Sequence, residues 1–124
     1  MSVNEVGQRL VDICRQGRDR DALELYSRDA VSVEAAGSPD MPAVQTGVEA
    51  IRRKGEWWSA NHEMHSAEVK GPFPNGDRFA VIFDYDFTPK TGQYAGRRTK
   101  MEEVGLYTVK NGKIVREEFY YPMH

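Results

Sequence analysis

Residues 101–121 read MEEVGLYTVKNGKIVREEFYY, and the fold turns on how they pair. The stretch predicts two β-strands joined at Asn111-Gly112, a dipeptide suited to tight hairpins. Both strands mix carboxylates with large apolar side chains. Glu102, Glu103, Glu117 and Glu118 therefore either form the wet side of a sheet or include groups that point into a pocket. The turn decides which. A two-residue turn sets Val109 opposite Ile114 and Leu106 opposite Glu117, and Glu102 then shares a face with Glu117, Phe119 and Tyr121. A three-residue loop, Lys110-Asn111-Gly112, with Gly112 as a left-handed bulge shifts the pairing by one and puts Glu103, Gly105 and Tyr107 on the Glu117 face. A one-residue slip flips every side chain, so the two pairings exclude each other.

Upstream, RFAVIFDYDF (78–87) alternates cleanly. Phe79, Val81, Phe83, Tyr85 and Phe87 share one face, while Ala80, Ile82, Asp84 and Asp86 share the other, assigned to the outer surface. HEMHSAEVKG (62–71) is a further strand, followed by a turn at PFPNGD. Helical signals come first in the chain. Ser2 and Glu5 form a capping box before Val3, Val6, Leu10, Ile13 and Cys14 at helical spacing, and Gly17 ends that helix. RDRDALELYS (18–27) predicts a short second helix burying Ala22, Leu23, Leu25 and Tyr26. AVSVE (30–34) is a short strand, AAGSPDMPAVQ (35–45) a long loop of the kind that rims pockets, and Thr46 with Glu49 predicts the cap of a third helix carrying Val48, Ile51 and Trp58. The order helix, helix, strand, helix, then four strands in a meander predicts an α+β fold with helices on one side of a curved antiparallel sheet.

The 124 residues fit a single domain, 1–124, with a real core. A net charge of −2 gives no reason to expect nucleic acid or an anionic membrane. Arg52-Arg53-Lys54 and Arg97-Arg98 have acidic neighbours and read as solvated faces. The single cysteine, Cys14, falls on an apolar stripe and cannot form an intrachain disulfide, which suits a reducing compartment. With no apolar run of membrane-spanning length and no hydrophobic leader segment, a cytoplasmic location is expected.

LYSRDAVSVE (25–34), TGVEAI (46–51) and NGKIV (111–115), in that order and spacing, resemble the SnoaL-like, nuclear transport factor 2-like superfamily, which includes ketosteroid isomerase. The resemblance implies a cone: a strongly curved antiparallel sheet wrapped around about three N-terminal helices, with an internal apolar pocket and often a homodimer. It places Glu34 where the isomerases carry their general base. The positions of their two oxyanion donors fall at Leu10 and about Gly105, neither of which can donate through a side chain, so ketosteroid isomerisation is not expected. Pocket-lining positions correspond to Glu117, Phe119, Tyr121, Gly105 and Tyr107, which share a face only with the bulged pairing.

A carboxylate on an apolar concave wall loses hydration and its pKa rises, and neighbouring carboxylates drive one of them further up. Glu34, Glu117 and Glu103 are the candidate acid–base residues. Phe79, Val81, Phe83, Tyr85, Tyr107, Phe119 and Tyr121 are the candidate pocket lining, with Trp58, His62 and His65 as possible ligand contacts. His62 and His65 lack the spacing of a HExxH zinc site, so no metal is assigned. No phosphate-binding glycine loop follows a strand, and no cofactor is implied. Two readings follow. One is a cofactor-independent isomerase, cyclase or lyase acting on a small, mostly apolar carbonyl compound. The other is a non-catalytic ligand-binding or assembly module with the same pocket.

Overall fold

The computed structural model describes residues 1–122. Helix α1 spans Val3–Arg15, and its capping box is formed: Glu5 N–H donates to Ser2 Oγ and Ser2 N–H to the Glu5 carboxylate, both at 3.1 Å. Its buried face carries Val6, Leu10, Val11 and Ile13. The expected second α-helix is a 3₁₀ segment, Asp19–Leu25. It has no side-chain cap and buries only Ala22 and Leu25, whose three-residue spacing stacks them on one edge of a 3₁₀ turn. Tyr26, expected on that helix, instead opens strand β1, Tyr26–Val33.

The long loop after β1 contains a short strand, β2 (Val44–Thr46), that pairs antiparallel with β1. This changes the start of the next helix, α2 (Val48–Asn61). Thr46 stays in the ladder opposite Val31 and does not cap it. The N-cap is Gly47, which turns the chain at φ 93° while donating its N–H to the Ala30 carbonyl at 2.7 Å. Only glycine adopts that conformation without strain. Glu49, freed from capping, pairs with Arg52 at 2.8 Å.

Strands β3 (His62–Asn75), β4 (Arg78–Pro89), β5 (Thr99–Lys110) and β6 (Lys113–Tyr120) form the meander. The sheet order is β2-β1-β6-β5-β4-β3, and it is antiparallel except between β1 and β6, which run parallel. The curved, mainly antiparallel sheet is the one expected; its single parallel junction is where the first long strand lies beside the last. Irregularities at Met64/Ser66, Lys70/Phe73 and Thr108/Val109 bend the sheet.

The opening hairpin combines parts of both expected pairings. Asn111 and Gly112 have φ of 52° and 75°, a two-residue turn, and Val109 does face Ile114. One step further Thr108 faces Arg116, so Val115 has no partner and forms a bulge. The bulge, not the turn, restores the second pairing: Tyr107 lies opposite Glu117 and Gly105 opposite Phe119. Ile114 and Glu117 are therefore both buried although three residues apart.

The core lies between α1 and the concave face, where Phe79, Val81, Tyr107, Val109 and Ile114 meet Val6, Leu10 and Val11. Gly7 lets α1 sit directly on the sheet, since a Cβ there would lie 2.9 Å from Pro72 Cβ. Cys14 packs against this core, and burial pushes its thiol up to about 12, which leaves it unreactive. No helix among the described residues is long and apolar enough to cross a membrane.

Candidate functional site

The alternation of β1 turns Ala30 and Ser32 inward, and both are fully buried. Glu34 follows just past the strand, anchored by its N–H to the Ala43 carbonyl at 2.8 Å. In the parallel β1–β6 pair Ser32 lies beside Glu117, and across β5 Tyr107 lies on the other side of it. Glu117 is 3% exposed, which isolates a carboxylate in the core unless it is bonded. Both of its oxygens are. Ser32 Oγ donates to Oε2 at 2.5 Å, and the Tyr26 hydroxyl donates to Oε1.

Above them α2 supplies a residue that the linear reading assigned to a solvated face. Lys54 falls three residues after Ile51 and four before Trp58, so the apolar stripe of α2 carries it inward. Its side chain is 13% exposed. The ammonium donates to Glu34 Oε2 at 2.7 Å and to Ser32 Oγ, and it sits 3.9 Å from Glu117 Oε2. It also lies 5.0 Å from the centre of the Phe119 ring, a cation–π contact. Glu34 Oε1 accepts from the Tyr121 hydroxyl at 3.1 Å. Because Ser32 gives its only proton to Glu117, its oxygen must accept from Lys54. The chain Lys54 to Ser32 to Glu117 therefore has a fixed direction.

Glu103 completes the group. It lies on the inward face of β5 opposite Phe83 and makes no side-chain hydrogen bond among the described residues. Burial pushes its carboxyl up to about 8, with Glu34 and Glu117 adding to the rise and Lys54 opposing it. At neutral pH it is mainly a neutral acid. Burial also raises Glu117, against the pull of Lys54, Ser32 and Tyr26. Tyr26 and Tyr107 are raised well above the ordinary phenol value and Tyr121 to about 12, in each case chiefly by burial, so all three remain hydroxyl donors.

The other expected site residues divide into two sets. Phe119 lies beneath the Lys54 ammonium and Phe83, itself buried in the core, lies opposite Glu103, with Phe83 stacked on Tyr85 at 5.7 Å and Trp58 tilted against Tyr85 at 5.9 Å. Phe79, Val81 and Tyr107 are packed into the core beneath α1, and Phe79 stacks on Tyr107 at 5.0 Å. Gly105 keeps this arrangement possible: the Tyr107 ring crosses it, and a Cβ there would lie 2.8 Å from Tyr107 Cε2. His62 stacks on Trp58 at 4.1 Å with its Nδ1 on the Trp58 carbonyl. His65 is exposed on β3 and bonds Thr88. Asp84 faces outward with Lys70 at 3.1 Å, whereas Asp86 is buried and held by Arg98 in a two-pronged contact at 2.9 and 3.0 Å. Among the described residues no group of three or more His, Cys, Asp or Glu side chains is arranged to hold a metal ion.

A family profile for the SnoaL-like domain matches residues 1–121. A Mesorhizobium loti protein of known structure is 47% identical, and the match covers 98% of this chain and 100% of that one with a TM-score of 0.89. It is described as a candidate SnoaL-like polyketide cyclase, with carbohydrate phosphatase added to the description. A candidate polyketide cyclase from Pseudomonas putida is 18% identical over 99% of this chain and 93% of its own, with a TM-score of 0.75. A Catenulispora acidiphila protein with a ketosteroid isomerase-like fold, in complex with trimethylamine, is 17% identical over 94% of this chain and 84% of its own, with a TM-score of 0.71. These two show the fold alone. No protein of curated function matches. A profile match along almost the whole sequence and a close relative that superposes end to end agree: the chain belongs to the SnoaL-like domain family.

Proposed function

We propose that this protein is a cofactor-independent acid–base catalyst that moves a proton next to the carbonyl group of a small, mostly apolar molecule. The observation that carries this reading is the pairing of two unlike carboxyl groups. Glu34 is held against an ammonium, whereas Glu103 in the same cluster makes no side-chain hydrogen bond among the described residues and burial pushes its carboxyl up to about 8. Environments that separate two carboxyl groups in this way mark an acid and a base. In this reading the substrate carbonyl accepts a hydrogen bond from Glu103, and Glu34 takes the proton from the adjacent carbon. The electron pair moves onto the carbonyl oxygen, where Glu103 and the Lys54 charge stabilise it. Phe83, Tyr85, Phe119 and Trp58 supply the apolar contacts. The polyketide cyclase description of the Mesorhizobium loti relative is compatible with such enolate chemistry. Its phosphatase description is not favoured, since a phosphate would meet the Glu34 and Glu117 carboxylates with only Lys54 to offset them. A homodimer through the outer sheet face belongs to the same reading, supported by half-buried Ile82 opposite Val104 and Ala80 opposite Leu106.

One observation favours a second reading, a binder without turnover: both Glu34 oxygens already hold a donor, Lys54 and Tyr121. Deuterium exchange into a panel of ketones and 1,3-diketones in heavy water separates the two. The enzyme reading expects exchange above the buffer rate that falls by about 100-fold or more in Glu34→Gln. Panel compounds that bind but exchange no faster than in buffer would establish the binder.

A further inference from the structure

A groove of about 750 Å³ lies beyond the acid–base cluster, between the end of α2 and the segment 90–98. That size falls within the usual range for small-molecule sites. Neither the family assignment nor the proposed proton transfer uses it. We infer that this groove is a second binding site, built for a flat aromatic carboxylate.

The floor is an aromatic platform. The His62 ring lies parallel to Trp58 at 4.1 Å and 9°, and Phe87 meets its edge at 5.4 Å. His62 Nδ1 donates to the Trp58 carbonyl at 2.8 Å, which fixes the ring in that plane. Tyr94, 48% exposed, also lines the groove. Large, orientable aromatic faces suit a flat π-system.

The wall carrying Tyr94 is held in place. Lys90 N–H donates to the Asn61 carbonyl and Gly96 N–H to the Pro89 carbonyl, both at 2.8 Å, and the Thr91 hydroxyl bonds the Asn61 side chain at 3.1 Å. The segment is thus tied to the end of α2 and to β4, so the groove needs little ordering when a ligand enters.

Charge selects the ligand's sign. Two arginines, Arg97 and Arg98, line the groove. Arg98 is engaged by Asp86. Arg97 has no ion pair among the described residues, and its planar donors match a carboxylate. An organic cation would find the same aromatic faces but would meet Arg97.

None of Glu34, Lys54, Glu103 and Glu117 lines the groove. Thr99, on its wall, lies four residues along β5 from Glu103, roughly 13 Å at strand rise.

The test uses 2-naphthoate and its neutral analogue 2-naphthamide, titrated calorimetrically into the intact protein, with amide chemical shifts to locate the contact. The wild type is expected to bind naphthoate about 10-fold or more tighter than naphthamide, with shifts at His62, Tyr94 and Thr99. Arg97→Met is expected to lose that preference while still binding naphthamide, which shows that the groove remains formed. Glu103→Gln is expected to leave naphthoate binding unchanged. Equal binding of the two compounds, an Arg97→Met variant that binds naphthoate like wild type, or the absence of binding at millimolar naphthoate would each overturn the inference. So would shifts confined to the Glu34–Glu103 cluster. None of these results depends on whether Glu34 abstracts a proton.

Discussion

Lys54→Met is expected to lower stability by about 3 kcal/mol at neutral pH, because removing one partner of a buried ionic group strands the charges that remain. The methionine keeps the apolar contact with Phe119, so the loss reports the charge. Three groups are affected. Glu34 loses its 2.7 Å partner, Ser32 loses its donor, and Glu117 loses the ammonium at 3.9 Å that opposes its burial. Glu34 can turn towards water, since its side chain is 23% exposed, but Glu117 cannot. Most of the loss therefore belongs to Glu117. It shrinks at acid pH, where Glu117 can take a proton in place of the missing cation. Thermal or urea unfolding checks this; for a domain of this size the shift in Tm is roughly 10 °C. A variant within about 0.5 kcal/mol of wild type would mean that Lys54 is no more than a surface-type ion pair. Adding Glu34→Gln should recover part of the loss, and the double-mutant cycle measures the Glu34 share directly.

The second large effect is a fall in stability with rising pH that Glu103→Gln removes. The Glu103 carboxyl titrates near 8 in the folded chain against an ordinary value of 4.5. Between those values the folded state binds the proton more tightly than the unfolded chain does. The contribution is therefore fully present below the ordinary value, declines as pH rises, and is lost once pH passes the folded value. Allowing for partial solvent access, the total change is about 2–4 kcal/mol. Glutamine keeps the shape and the hydrogen-bonding capacity without a titration, so the variant should match wild type near the acid end and exceed it by that amount above about pH 8. Some slope remains from Glu117, which burial also raises. Urea midpoints across the range decide it: equal slopes in the two proteins would show that Glu103 is not the titrating group.

The fold was largely legible in the sequence because its elements follow local rules. The Ser2–Glu5 capping box, the alternation of 78–87 and the Asn111-Gly112 turn each state their structure within a few residues. The errors occur where tertiary contacts override a local signal. Thr46 with Glu49 has the spacing of a cap, but pairing with Val31 holds Thr46 in β2. The Val115 bulge has no glycine or proline to announce it. Only its consequence, Glu117 on the Tyr107 face, could be argued beforehand, and from resemblance. The site was half legible. Glu117 and Glu103 stood out as carboxylates in apolar strands and the family resemblance pointed to Glu34, whereas Lys54 was hidden inside a run of three basic residues. Its helical position relative to Ile51 and Trp58 was the available signal. Ser32 could likewise have been found from the alternation Ala30, Ser32, Glu34. The direct contacts of Lys54 with Ser32 and Glu34 belong to packing, which no sequence window contains.

The parallel junction between β1 and β6 also bears on the order of folding. Ser32 and Glu117 are 85 positions apart, Glu34 and Tyr121 87, and Tyr26 and Glu117 91. By contrast, β3, β4 and β5 pair with their sequence neighbours. Loop-closure entropy grows with the length of chain that must be closed, and such non-local pairings slow folding. The meander can form from nearby segments, but the acid–base cluster exists only after the two distant ends of the chain have met. A partly folded molecule can thus hold most of its sheet while lacking its site.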